Sequence, residues 1–201
     1  MKRFKAAKAA ALLLCFAFCF ALAACSGARR IYKSEIAACL PALVEQSKVL
    51  NEIYFGDGFP PRGDAELPGN GYYYADTAVY GLETVTEIKE ATEKVFTPEY
   101  SAILYAAAFD GVVGEDGAVS LPRYAEGELG LMQHMGAVVY ELAERSYDFE
   151  TLKLKKAGTT RATVSVETSD EYGNAATVEL IVVRTVDEAG NATYRLDSPT
   201  Y

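Results

Sequence analysis

One histidine, one aspartate behind a run of tyrosines, and a few further phenols are the side chains best suited to chemistry. His134 is the sole histidine and stands in Leu131-Met132-Gln133-His134-Met135-Gly136. Asp76 follows Tyr72-Tyr73-Tyr74-Ala75. Together with Tyr74, Tyr124 and Tyr140 these groups could line a pocket where a base takes a proton and a phenol orients the substrate. A general base must reach its proton and hold a tuned pKa. Each residue also has a plainer reading. Methionine and glycine neighbours put His134 at a strand end or turn, Asp76 suits a turn, and tyrosines are commonly half-buried sheet residues. No catalytic residue is therefore assigned, and no cofactor is expected. One histidine and one available cysteine cannot make a typical zinc site. The chain has no GxSxG elbow and no SxxK. Gly56-Asp57-Gly58 lacks the glycine and helix start of a phosphate cradle. DEYGN at 170–174 and DEAGN at 187–191 lack the alternating ligands and terminal glutamate of a calcium loop and read as hairpin turns.

The available cysteine is Cys39, because the other three belong to a segment that reads as an address. Lys2, Arg3, Lys5 and Lys8 form a basic start, and sixteen apolar residues run from Ala9 to Ala24. That stretch is shorter than the roughly 20 residues a membrane-crossing helix needs. It ends in small residues, as secretory signals do. Leu22-Ala23-Ala24-Cys25 resembles the bacterial lipobox, in which the cysteine thiol receives a diacylglyceryl group and the signal is cut just before it. Residues 1–24 would then leave, with Cys15 and Cys19, and Cys25 would tie the chain to the membrane. The alternative is an uncleaved N-terminal anchor. Both place the domain outside the cytoplasmic membrane, on its outer face. Cys39 has no partner for a disulfide and suits a buried position on the first helix.

Losing the four signal cations takes the formal charge from −9 to −13. An acidic surface argues against nucleic acid as a partner, since phosphate binding needs a positive footprint, and against broad adhesion to anionic lipid or anionic wall polymer. Residues 25–33 form a short tether in which Arg29, Arg30 and Lys33 could meet anionic headgroups. Residues 34–201 are enough for a single domain with a substantial core.

The elements that must position the candidate groups are legible in outline. Ile36, Leu40, Leu43, Ser47, Leu50 and Tyr54 recur at helical spacing, with Pro41 either kinking that helix or starting a second segment. Residues 56–71 are a long loop rich in glycine and proline. Arg62-Gly63-Asp64 inside it spells an adhesion tripeptide and is read as coincidence. Tyr72–Val79 suits a short strand. Thr84 and Glu87 form a capping box before a stripe of Val85, Ile88, Thr92, Val95 and Phe96. Thr97-Pro98 starts another helix, with Tyr100, Ile103, Leu104 and Ala107 facing inward. Strands are expected at 118–125, 128–133 and 137–144. One more follows from Tyr147 to Lys156, with a bulge at Glu150-Thr151. Residues 160–168, 175–186 and 193–197 then form a meander through the two Gly-Asn hairpins. Helices first and strands after argue for an α+β fold, with N-terminal helices on one curved antiparallel sheet.

The layout of IYFGDGFP, YYY, VFTPEYSAIL, the hairpins and the closing YRLDSPTY resembles the NTF2-like, cone-shaped (cystatin-like) α+β superfamily over residues 34–201. More narrowly it is similar to extracytoplasmic proteins grouped with the IseA-type inhibitors of cell-wall DL-endopeptidases. The superfamily implies a concave sheet that holds a small ligand or is filled by side chains. The narrower group implies binding to a murein hydrolase. Independently of that likeness, the domain could dock through the long 56–71 loop or the exposed strand face, and an inhibitor would place such a loop in or across a hydrolase cleft. The expectation is thus a non-catalytic, lipid-anchored binding or regulatory protein of the cell envelope. The alternatives are a small-molecule-binding lipoprotein and an isomerase- or dehydratase-type enzyme.

Overall fold

A computed structural model describes residues 29–63, 71–111, 121–140, 142 and 145–201. Cys25 and the signal segment lie outside the described residues. The fold is α+β, with three α-helices and two antiparallel sheets among those residues. The described residues form two compact units, those up to 45 with 145–199, and those between 46 and 144 with 200–201. Helix α1, Lys33–Tyr54, contributes to both and contains Pro41 without ending there. The second segment allowed for at Pro41 does not occur.

In the first unit, β4 (Ser146–Ala157), β5 (Arg161–Ser169), β6 (Ala175–Val186) and β7 (Ala192–Leu196) pair in sequence order. This is the meander expected from the hairpin turns. In each turn one aspartate gathers the following asparagine: Asp170 Oδ1 accepts from Asn174 N at 2.8 Å, and Asp187 Oδ1 accepts from Asn191 N at 2.7 Å. Gly173 and Gly190 take the left-handed backbone that such turns require. The expected slip in β4 is present, as a register shift between Asp148 and Lys153. Ala162, Val164, Val166, Leu180, Val182 and Leu196 are buried, with Ile36, Leu40, Leu43 and Val44 of α1. Fully burying one such aliphatic side chain is worth about 1.5–3 kcal/mol. Ser165, expected on the polar face, is buried as well.

In the second unit, β1 (Tyr72–Tyr74), β3 (Gly130–His134) and β2 (Tyr124–Gly127) form a separate sheet in that order. The single curved sheet expected from the sequence is therefore replaced by two. The aromatic stretch pairs with β3, Tyr72 opposite His134, instead of joining the meander. It is also shorter than expected, because Asp76 caps a 3-10 turn at Thr77–Val79. Residues 137–140 are not a strand, since their backbone bonds elsewhere: Tyr140 N donates to Phe55 O at 2.7 Å, and Val138 O accepts from Arg123.

Helix α2, Val85–Val95, starts at Thr84, whose Oγ1 accepts from Glu87 N, while Glu87 reaches back to Glu83 N. Its stripe buries Ile88, Thr92 and Val95, and Phe96 just beyond its end. Helix α3, Pro98–Tyr105, is capped by Thr97 and runs into a π-turn at Ala106–Asp110. Its buried face is Ser101, Leu104 and Ala108. Ile103, expected inside, is 67% exposed because that face leaves it on the opposite side.

Candidate functional site

Arg123 and Tyr124, at the start of β2, organise the second unit around the C-terminal end of α1. Four backbone carbonyls at a helix C-terminus lack intrahelical partners and carry partial negative charge. Ile53 O accepts from Arg123 Nε at 3.0 Å and from the Tyr124 hydroxyl at 2.6 Å. Arg123 Nη2 donates to Gly56 O and Nη1 to Val138 O at 2.9 Å. The guanidinium is buried, and among the described residues it is balanced by carbonyls and a phenol, without a carboxylate. Burial pushes the Tyr124 phenol up to about 12, with Arg123 beside it pulling part of the way back.

Beside this knot opens a surface cleft of about 410 Å³. Its floor is strapped by one side-chain amide. Gln133 Oε1 accepts from Phe59 N at 2.8 Å, and its Nε2 donates to Asp57 O at 2.7 Å. The Tyr73 hydroxyl donates to Phe59 O at 2.7 Å. Gly58 sits under the strap at φ 73°, where a Cβ would run into Gln133 and the Tyr124 hydroxyl. Pro60, Pro61, Met135, Ala137 and Val139 supply an apolar wall. Two polar groups remain open to a visitor. The Asp57 residue is exposed, and the half-buried His134 ring meets Tyr72 edge-on at 5.0 Å, with no hydrogen bond to its nitrogens among the described residues.

Of the five candidate side chains, His134 alone lines this cleft, beside residues 57–61 of the candidate contact loop. Asp76 Oδ1 accepts from Ala78 N as the cap of the 3-10 turn. Tyr74 is buried under the Arg62 guanidinium, 5.4 Å from its ring centre. Tyr124 lies in the core, and Tyr140 is exposed against Phe55. Arg62 also donates to Leu129 O at 3.2 Å, so the arginine of the adhesion-like tripeptide serves the fold, while Asp64 lies outside the described residues. Cys39 is a buried thiol on α1, outside any disulfide, that donates to Ile36 O at 3.5 Å. Gln133, Tyr73 and Arg123 were not singled out, and Asp57 was weighed only within Gly56-Asp57-Gly58 and the 56–71 loop. Arg123 left a trace, being the one lysine or arginine between Lys94 and Arg145.

Among the described residues no three His, Cys, Asp or Glu side chains gather as a metal site would need. No helix there is long and apolar enough to cross a membrane. No protein-family model matches the chain, and comparison with curated proteins gives no match.

Proposed function

We propose that the chain is a lipid-anchored, non-catalytic binding or regulatory protein on the outer face of the bacterial cytoplasmic membrane. Its partner is an envelope protein of the murein-hydrolase kind, met through the cleft between residues 57–61 and 133–139. The observation that carries the binding reading is how the polar groups of the second unit are employed. Arg123, Tyr124, Gln133, Tyr73 and Asp76 hold backbone, and Phe59 and Tyr124 fill the interior at 1% exposure each. A proton-transfer site would need an ionisable group free in an enclosed hollow. An apolar wall at the surface suits a protein contact instead. The NTF2-like and IseA-type likeness rests on the sequence layout and shares only the α+β class with this fold, whose strands form two sheets, and the anchor rests on Leu22-Ala23-Ala24-Cys25.

The test is the activity of a purified cell-wall DL-endopeptidase on peptidoglycan with the chain added. Saturable inhibition is expected, weakened about tenfold by Val139→Asp, the loss of one apolar anchor at an exposed position. An endopeptidase that neither binds nor slows rules out this partner. Deleting the 56–71 loop would be a poor test, because Phe59 belongs to the core. For the anchor, Cys25→Ala is expected to abolish incorporation of labelled fatty acid. Label retained on that variant rules out lipidation at this thiol.

The volume of the cleft favours a second reading. About 300–1,000 Å³ is the usual range for small-ligand sites. A compound held there by Asp57 and His134 would raise the melting temperature, and His134→Ala would remove that rise.

A further inference from the structure

The sheet of the first unit carries opposite charge at its two ends. Strand β4 has Asp148 and Glu150 in its first half and Lys153, Lys155 and Lys156 in its second. Register carries the pattern across the sheet. Ser146 faces Ser169 and Asp148 faces Glu167, next to the turn with Asp170 and Glu171. Ala157 faces Ala162 at the other end, beside Arg161.

The chain arriving from the N-terminus is sewn onto that basic end. Ile31 N donates to Gly158 O at 2.9 Å, and Ile31 is buried. Arg30 Nε and Nη2 donate to Ala157 O at 3.2 and 3.0 Å. The buried Arg184 donates from Nη2 to Arg29 O at 2.6 Å, and Tyr32 N donates to Glu35 Oε2 at 2.7 Å. The exposed Arg30, Lys33, Lys155 and Lys156 have no carboxylate partner among the described residues. Arg161 is paired with Asp197, Arg29 and Arg184 with Glu35, and Lys153 with Glu167, and Asp187 and Glu188 in the neighbouring turn add further opposing charge.

Sewing fixes the chain at residue 29, so Ser26, Gly27 and Ala28 alone separate it from Cys25. Four steps of extended chain reach on the order of 14 Å, little beyond the roughly 10 Å over which salt screens charge. We infer that the basic end of this sheet rests on the anionic phospholipid headgroups of the bilayer that holds Cys25, with the acidic end turned away. The inference rests on the anchor proposed above. Each basic residue near an anionic leaflet strengthens contact about fivefold.

The experiment uses the full-length chain, lipidated in a bacterium and reconstituted into phosphatidylcholine vesicles with or without phosphatidylglycerol. A fluorophore is placed at Thr160→Cys or at Tyr172→Cys, and its quenching by nitroxide-labelled lipid is read. Stronger quenching at 160 than at 172 is expected, with a gap that widens with phosphatidylglycerol. Lys155→Glu with Lys156→Glu, both exposed, should cancel that widening. Equal quenching at the two positions, indifference to phosphatidylglycerol, or no effect of charge reversal overturns the inference. So does a 160 probe that answers to a soluble anionic wall polymer and not to phosphatidylglycerol. Sedimentation separates the two readings. A chain without lipid on Cys25 that still pellets with phosphatidylglycerol vesicles, and not with phosphatidylcholine alone, sinks the anchor and keeps the surface. A lipidated chain indifferent to phosphatidylglycerol does the reverse.

Discussion

Arg123 takes a full charge into the interior and settles it on the carbonyls that a helix end leaves open. Hydrogen bonds to charged groups are stronger than neutral ones, and orphaned buried acceptors are costly. Arg123→Met is therefore expected to destabilise the protein by about 3 kcal/mol, read from the urea midpoint. The phenols give a second expectation at this scale. Tyr124 is raised from 10.0 to about 12 by burial, and Tyr54 and Tyr100 are raised further for the same reason. A raised folded pKa means that the unfolded chain gives up its proton first. The stabilisation is complete below pH 10 and drains away as pH climbs toward 12, with Tyr124 contributing on the order of 2 kcal/mol. Unfolding followed by tyrosinate absorbance should fall in that window, and Tyr124→Phe should flatten it. Arg123 was visible in the sequence as an isolated cation. Its partners Ile53 and Gly56 lie 70 and 67 residues upstream, and no local pattern records so distant a pairing.

Elements were legible where local chemistry decides them. The DEYGN and DEAGN turns, the cap at Thr84 and the slip in β4 are all specified within a few residues of themselves. Asp170 and Asp187 show how locally: the asparagine four residues on holds each carboxyl below its ordinary 3.8. A lowered folded pKa gives stability above the ordinary value, lost as pH falls through the lowered one. Asn174→Ala is expected to move the Asp170 carboxyl back toward 3.8 in an NMR titration and to leave Asp187 where it was. Elements that depend on distant partners were misread. The 137–140 segment has the β-branched look of a strand, yet Arg123 and Phe55 take its backbone groups. Tyr72–Tyr74 has strand composition, but composition does not say which sheet it joins. The cleft was least legible, since Gln133 carries no signature until β3 faces the Asp57–Phe59 turn.

At the scale of the molecule, both units are built from distant stretches of sequence. The second closes on its last two residues: the Thr200 hydroxyl meets Ser47 Oγ at 2.6 Å and accepts from Asn51 Nδ2 at 2.9 Å, both buried. Removing Thr200 and Tyr201 should cost about 1–3 kcal/mol in denaturant titration, because two buried polar groups lose the oxygen on which they converge. The first unit is more widely divided, with residues 46–144 interposed between its helix segment and its sheet. Contacts of such separation are slow to form. A polypeptide delivered from its N-terminus exposes Ile36, Leu40, Leu43 and Val44 long before β7 has been made. During that interval the greasy side of the opening helix has no mate, and it stays bare to water until the final hairpin arrives.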